Sequence, residues 1–312
     1  MPSQRVGSRG QTGLVVVLVL AAVALVAVPL ALHLTQKRHD VLPFDVAAEY
    51  PPDRPFVPGE IYASTLAALV ERELSGLSGW RPNDFVLWGP GLTADNNAHR
   101  QLGIITAVRE STRVLKDHLT KVSSTEFDPN LVQADTAFRN DIERFWFPSA
   151  ESKLREGVAA LRRYVDGLRA TPPASKPLNG RNVELIRLFQ TWGDQLGDAH
   201  AQLLKETEAD GTPVRPWRND DYYYHAMGLA HVMHHLVLAV SQEYRTDFAN
   251  RPALQQLLAE VADVLGRAGL MKPFVVLDGS PTGIFANHRR NLDADIADAR
   301  QKMYSIREEL EK

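Results

Sequence analysis

One uninterrupted apolar segment constrains this chain more than any other feature. Residues 14–34 read LVVVLVLAAVALVAVPLALHL, with no charged residue. As an α-helix, 21 residues extend roughly 31 Å, which matches the ~30 Å hydrocarbon core of a bilayer. Pro29 is compatible with a membrane helix, where it causes at most a kink. The segment therefore predicts a transmembrane helix, and the lipid bilayer is the first expected partner, through Leu14–Leu34.

A cleavable signal peptide is the main alternative for this segment. Arg5 and Arg9 would form its basic start. However, the apolar run exceeds the usual 7–15 residues of a signal peptide core. The best small-x-small triplet, Ala22-Val23-Ala24, lies inside the run and not after it. We therefore expect an uncleaved signal anchor, with residues 1–13 before the membrane and residues 14–34 within it.

The orientation can be inferred from the lengths on either side of the anchor. Lys37 and Arg38 come after the apolar run, so basic residues on both sides give little contrast under the positive-inside rule. A short N-terminal segment before a large C-terminal region favours the N-terminus in the cytoplasm. The remaining chain is then expected on the other side of the membrane.

Charge and composition exclude several classes of function. The chain has 35 basic and 38 acidic residues, and the first 39 residues hold 4 basic and no acidic ones, which leaves 31 − 38 = −7 for the rest. This mildly acidic balance argues against a nucleic-acid partner. The sequence contains no cysteine, which excludes disulfides, thiolate nucleophiles and cysteine-ligated metal sites.

Proline separates the predicted anchor from the rest of the chain. Pro43, Pro51, Pro52, Pro55 and Pro58 lie within residues 35–59. Proline removes a backbone donor and fixes φ, so this density argues against a helix and an inner strand. We expect an extended, partly stiff spacer between membrane and domain.

Beyond the spacer the hydrophobic period is helical. Residues 60–171 predict a first helical half, and residues 180–312 a second one, separated by a proline-rich loop. Only Phe274–Leu277 looks strand-like, and we interpret it as a short buried connector. The predicted fold class is all-α, a helical bundle. The predicted helices are 61–77, 95–122, 129–145, 150–168, 182–208, 220–248, 252–268 and 287–311.

The two halves show a possible internal repeat. A Trp-Arg motif precedes a helix interrupted by Gly103 in the first half and by Gly228 in the second. A Pro-x-Leu helix start comes next in each, at Pro129 and Pro252. The pattern predicts two four-helix units, although such matches also arise by chance. A mid-helix glycine costs about 1 kcal/mol relative to alanine, which is tolerable where another helix approaches closely.

Three histidines form the most distinctive chemical pattern. His231 and His235 are four residues apart, hence on one helix face, and His234 lies near that face. Two such imidazoles can share a zinc ion if other helices supply further ligands. Candidates for these ligands are Asp194, Asp198 and His200. A metal or haem site, pH-sensitive packing and an inert buried helix all remain open here, and no resident cofactor is assigned.

A second candidate is a loop rich in Trp, Asn, Asp and Gly. Loops held by a rigid scaffold often carry binding functions. Asn and Asp also cap helices and build turns, and Trp residues also fix loops to a core, so these structural roles compete with binding. The candidate binding residues are Trp80, Asn83, Asp84, Trp88 and Asp95.

Several motifs occur in a recognisable order after the anchor and the spacer: Gly79-Trp80-Arg81-Pro82-Asn83-Asp84, Asp95-Asn96, Gln101-x-Gly103 and Phe147-Pro148-Ser149-Ala150-Glu151. This order resembles the bacterial membrane-anchored family catalogued as domain of unknown function 2333, over nearly the whole chain. The resemblance implies a bacterial, Gram-negative inner-membrane protein, and together with the expected orientation it gives a periplasmic domain. It supplies no activity and no functional residue.

The sequence favours a non-enzymatic interaction or scaffold module of the cell envelope, with envelope proteins as partners and the oligomeric state left open. No phosphate-binding loop and no Gly-x-Ser-x-Gly elbow is present, and no catalytic residue is assigned. One alternative is a helical-bundle protein that binds a metal, haem or small ligand at the histidines. Another is an enzyme that acts on an envelope polymer through Asp84 and Asp95.

Overall fold

The computed structural model describes residues 7–39, 45–51, 53–75, 79–83, 96–120, 126–179, 182–271, 273, 276–279 and 286–312. Within these ranges the structure is helical, without a β-strand, which confirms the all-α prediction. The helices are α1 Gly7–His39, α2 Val46–Glu49, α3 Glu60–Ser75, α4 Asn96–Val114, α5 Pro129–Phe138, α6 Ala150–Arg169, α7 Asn182–Leu203, α8 Pro216–Glu243, α9 Pro252–Leu270 and α10 His288–Glu311; a π turn, Leu115–Leu119, continues α4.

Helix α1 contains the apolar segment. Every side chain from Thr12 to Val28 is exposed, including eleven large apolar ones. Taken over the described residues, no helix combines the length and apolarity required to cross a membrane. The predicted span of residues 14–34 stays a prediction.

The end of the spacer packs against the domain. Tyr50 and Phe56 form a small apolar cluster with Ile61 of α3 and Ala239 of α8. A one-turn helix, α2, forms within the spacer because residues 44–50 contain no proline. The expectation that residues 35–59 are extended throughout is therefore wrong for α2, and Tyr50 and Phe56 pack on the domain.

The centre of the domain is the crossing of α4 and α8. Gly103 of α4 lies against the backbone of His225, and Gly228 of α8 lies against the backbone of Arg100. A Cβ atom at either glycine would lie 2.0 Å from the opposing carbonyl oxygen. The two glycines thus permit direct backbone contact between the helices, as the sequence suggested.

The remaining helices repeat one packing order around this crossing. In the first half α3 packs on α6, α6 on α5 and α5 on α4; in the second half α7 packs on α10, α10 on α9 and α9 on α8. Across the halves α3 contacts α8 and α7 contacts α4. If α3, α4, α5 and α6 are matched with α7, α8, α9 and α10, each helix therefore has the same neighbours as its counterpart.

The starts of α5 and α6 agree with the predicted helices, whereas the end of α5 and the start of α8 do not. Asp128 caps α5 through the backbone N–H groups of Asn130 and Leu131, and Ser149 caps α6. Helix α5 ends at Phe138, not near Phe145. Helix α8 begins at Pro216, four residues before the predicted Asp220, with Pro at its first position.

The end of α7 has a long-range cause. The sequence predicted a helix to Glu208, but α7 ends at Leu203. The carbonyl groups of Leu203 and Lys205 accept hydrogen bonds from the buried guanidinium of Arg289 in α10. These carbonyls bind a side chain distant in sequence in place of continuing the helical hydrogen bonds, so the helix ends here. The chain then turns back, with an isolated β-bridge between Thr207 and Pro213.

Candidate functional site: an aromatic loop and its supports

The connection between α5 and α6 presents three consecutive aromatic side chains to solvent. Phe145, Trp146 and Phe147 have exposed fractions of 52%, 76% and 89%. We call residues 139–149 the aromatic loop and these three residues its tip. Large aromatic side chains seldom remain in solvent together unless they meet another surface. The tip is therefore the leading candidate functional site among the described residues.

Two buried side chains from the segment 79–83, which precedes α4, bind the base of the loop. The indole Nε1–H of Trp80 donates to the carbonyl of Ile142 over 2.8 Å. The side-chain amide of Asn83 donates to the carbonyl of Arg144 over 3.2 Å and to the carboxylate of Glu151 over 2.9 Å. These bonds tie the base of the loop to the helical core.

A third support comes from α4 itself. The guanidinium of Arg109 donates from Nε to the carbonyl of Phe138 and from Nη2 to the carbonyl of Asn140, the latter over 2.8 Å. Burial lowers the pKa of Arg109, and the neighbouring Arg139 lowers it further. Two oriented carbonyl groups thus stabilise a partly buried cation, and the end of α5 is fixed where the loop begins.

Further backbone groups at the base of the loop are also hydrogen-bonded. The N–H of Ala150 donates to the carbonyl of Arg144, and the carboxylate of Asp141 accepts from the N–H of Glu143. Four carbonyl groups of the segment Phe138–Arg144 therefore have partners within the protein. A loop of this kind presents its tip with little conformational freedom left to lose on binding.

The predicted binding loop is only partly described. Trp80 and Asn83 are buried, with their polar groups bonded as above, so their observed role is to hold the aromatic loop. Asp84, Trp88 and Asp95 lie outside the described residues. Their proposed binding role stays a prediction, and so does the alternative of an enzyme centred on Asp84 and Asp95.

Sequence reasoning missed the tip. The predicted helix over 129–145 placed Phe145 on a helix and gave Trp146 no role. Three adjacent aromatic residues after the charged stretch 139–144 were the available signal. Consecutive side chains on a helix or strand point to different faces, so three adjacent aromatic residues are seldom all buried by one neighbouring element. In this loop none of the three is buried.

The three predicted histidines, His231, His234 and His235, lie on α8 and face α9, and we call them the histidine stripe. The rings of His231 and His235 are 4.8 Å apart between centroids, and those of His234 and His235 are equally close, in edge-on geometry. Nδ1 of His234 is 2.7 Å from the carbonyl of Ala262 in α9. Gly266 and Gly269 make room for this contact, since a Cβ there would lie 3.1 Å from the His234 ring and 3.0 Å from the His231 backbone.

The environment of these histidines favours their neutral form. Burial, with smaller contributions from His234 and Arg72, lowers the pKa of His235 to about 3. Burial also lowers the pKa of His231 and His234. A neutral His234 that bonds to a carbonyl oxygen through Nδ1 carries its proton there. The stripe therefore resists protonation in the folded protein.

The proposed outer ligands do not join the stripe. Nδ1 of His200 is bound to Asp293 of α10 over 2.6 Å, while Asp194 and Asp198 are exposed. Among the described residues no group of three or more His, Asp or Glu is arranged to hold a metal ion. Metal or haem binding at His231, His234 and His235 stays a prediction, which metal analysis of untagged protein would test.

A shallow groove between α3 and α6 is a further concave feature. Its volume is about 890 Å³, and Leu74, Val158 and Ala159 form its apolar floor. Arg162 at its edge is paired with Glu71, and Arg163 donates to Gln133. The groove lies on the surface and brings together no set of reactive side chains.

The fold and the aromatic loop define a class: an all-α protein that presents a fixed aromatic tip on a helical bundle. The chain belongs to the bacterial family described as "uncharacterized protein conserved in bacteria", domain of unknown function 2333, whose family model matches residues 6–208 and 186–312. The family inferred from the sequence motifs is thus confirmed, and its membrane anchor stays a prediction. No curated protein and no solved structure matches the chain.

Proposed function

We propose that this protein is a membrane-tethered, non-enzymatic interaction module of the bacterial cell envelope, which docks through its aromatic loop. One observation carries the proposal: Phe145, Trp146 and Phe147 are exposed together on a loop whose base is bonded to the core. The proposal assigns no catalytic residue. Its partners include components of the envelope, with envelope proteins as the class expected of a scaffold.

The tether is the N-terminal helix. Residues 14–34 are apolar on every side, and the side chains from Thr12 to Val28 are exposed along α1. Exposed apolar surface of this extent is unfavourable in water by about 25 cal/mol per Å². We propose that this segment spans the inner membrane once, with the N-terminus inside and the domain in the periplasm.

The supports of the loop favour docking over accidental exposure. Each aromatic side chain buries roughly 150–250 Å² when covered. In a flexible loop, the entropy lost when the loop becomes ordered would cancel much of the free energy gained by this burial. Here Trp80, Asn83 and Arg109 have already fixed the backbone, so covering the tip retains more of the gain.

We also propose that the halves 60–171 and 180–312 arose by duplication. Asn83 bonds to Glu151, the second residue of α6; Asn219 bonds to Arg289, the second residue of α10. Together with the reciprocal contact of Gly103 and Gly228, these bonds support one shared plan. An alignment of related chains in which the halves are more alike than unrelated helical segments would support it, and chance similarity would refute it.

Photo-crosslinking in the native membrane tests docking. A benzophenone amino acid replaces Trp146 in the full chain, with Val183 of α7 and Leu270 of α9 as exposed control positions. We expect a discrete crosslinked product, to protein or to lipid, only from position 146. Equal products from all three positions would contradict docking through the loop. Extraction of the chain by alkaline carbonate would contradict the tether.

A further inference from the structure

We propose that the tip of the aromatic loop inserts into the interfacial region of the bilayer that carries the tether. The inference rests on the proposed function and names the partner of the same loop. It would make the protein a two-point membrane binder, with α1 across the bilayer and the domain held down on its surface. The small size and the chemistry of the tip, Phe145, Trp146 and Phe147, favour lipid over a protein surface.

The size of the tip is the first argument. Three aromatic side chains offer roughly 450–750 Å² of surface in total, at 150–250 Å² each. A stable protein–protein interface needs about 800 Å² on each partner. The exposed fraction rises from Phe145 to Phe147, as expected of a projecting tip. Insertion into a bilayer requires no matching surface, so a small convex tip suffices.

The backbone of the loop is the second argument. A segment that enters a membrane interface loses water, so its backbone groups need partners within the protein. The carbonyl groups of Phe138, Asn140, Ile142 and Arg144 already have such partners. These bonds lie at the base of the loop and hold it in place, so only the short tip, Phe145–Phe147, has to lose water on insertion.

The chemistry of the tip is the third argument. Trp is enriched at membrane–water interfaces, because its large ring is apolar and its N–H remains able to bond. Trp146 stands between two exposed phenylalanines and is itself 76% exposed. A single weak membrane element becomes effective when a second anchor keeps it near the bilayer, and α1 supplies that anchor.

Charge defines what kind of lipid is required. The aromatic loop, residues 139–149, contains Arg139, Asp141, Glu143 and Arg144, a net charge of 2 − 2 = 0. This charge gives no attraction to an anionic lipid surface. We therefore expect insertion to depend on apolar contact, to occur with zwitterionic phosphatidylcholine alone, and not to increase when anionic phosphatidylglycerol is added.

The absence of cysteine permits a direct test in the full chain, because one introduced cysteine is one labelling site. Phe147→Cys carries an environment-sensitive fluorophore, and Val183→Cys and Leu270→Cys are exposed controls on α7 and α9. Each labelled chain is reconstituted into phosphatidylcholine vesicles that contain a lipid-borne quencher. We expect quenching at position 147 to be at least threefold stronger than at both controls.

A second variant keeps the inference falsifiable. Phe145→Ser and Trp146→Ser are added to the labelled Phe147→Cys chain, and both positions are exposed, so the fold is retained, as circular dichroism would verify. Quenching should then fall to the control level. Equal quenching at 147, 183 and 270 in chains that float with the vesicles would overturn the insertion and leave the tether intact.

The remaining outcomes are equally decisive. Chains that fail to float with the vesicles would refute the tether and, with it, the inference. Protection of position 147 that appears only after envelope proteins are added would assign the loop to a protein partner and refute insertion. Quenching that requires phosphatidylglycerol would refute the apolar mechanism.

Discussion

Gly103 and Gly228 face each other's helices in a reciprocal contact. Each lies against the carbonyl group of the residue three positions before the other glycine, His225 for Gly103 and Arg100 for Gly228. A Cβ at Gly103 would also lie 3.1 Å from the backbone N of Leu229, and one at Gly228 would lie 2.8 Å from that of Ile104. The domain is therefore assembled around a helix crossing in which neither central residue tolerates a side chain.

Alanine at either glycine should destabilise the fold. Alanine is favoured over glycine in a helix by about 1 kcal/mol, but at 2.0 Å the opposing atom is backbone and cannot turn away. We expect Gly103→Ala and Gly228→Ala each to lower the free energy of unfolding by about 2 kcal/mol or more, within or above the usual cost of overpacking. Urea unfolding at neutral pH measures this.

A matched control exists in α7. A Cβ at Gly193 would meet its nearest atom at 3.6 Å, an ordinary contact, so Gly193→Ala should be neutral or stabilising. The double variant Gly103→Ala, Gly228→Ala should cost less than the two single effects together, because one displacement of the helices relieves both contacts. Full additivity would show that the two glycines act independently.

These glycines also show what the sequence could and could not predict. Their positions in predicted helices came from the sequence, which left open a close helix approach or a weak point without a role. The starts of α5 and α6, capped by Asp128 and Ser149, were equally local and agree with the predicted helices. The end of α5 was not predictable, because it depends on Arg109 of α4 binding the carbonyl groups of Phe138 and Asn140. The aromatic loop exists because of that long-range contact.

Glu243 should make stability fall as the pH rises. Its buried carboxylate accepts from the N–H groups of Gly59 and Tyr62 at the start of α3. Burial nevertheless raises its pKa to about 7, although these backbone bonds oppose the shift. Between pH 4.5 and 7 the folded protein holds a proton that the unfolded chain has released. The contribution of Glu243 to stability is thus complete below pH 4.5 and declines through pH 7.

The comparison with Glu243→Gln isolates this effect. The amide has no proton to lose, so the difference in unfolding free energy between wild type and variant should fall by up to about 3 kcal/mol from pH 4.5 to pH 8. Glu206→Gln, at an exposed carboxylate, should reproduce the wild-type profile. A pH-independent difference for Glu243→Gln would contradict the raised pKa.

The histidine stripe should act in the opposite direction. Burial lowers the pKa of His235 to about 3, and the cationic Arg72 adds to the shift. Its contribution to stability is present above pH 6.5 and declines as the pH falls towards 3. Relative to His235→Leu, wild type should lose about 3 kcal/mol between pH 7 and pH 4.5. The same difference at both pH values would show that His235 is not kept neutral by its surroundings.

The supports of the aromatic loop should control its local stability. Trp80→Phe keeps an aromatic ring but removes the donor to the carbonyl of Ile142. A buried carbonyl without its partner costs about 1–3 kcal/mol, and 1.4 kcal/mol corresponds to tenfold in an opening equilibrium. We expect amide hydrogen exchange in residues 139–149 to accelerate at least about tenfold.

Trp192→Phe provides the matched comparison for this prediction. It removes one buried indole bond of the same kind, to the hydroxyl of Ser111 over 3.0 Å, in the core away from the loop. Its effect should appear in global unfolding, without selective acceleration in residues 139–149. If the two variants accelerated the loop equally, Trp80 would have no special role there. Selective acceleration by Trp80→Phe would instead show that the buried Trp80, through its bond to Ile142, stabilises the loop that carries the exposed Trp146.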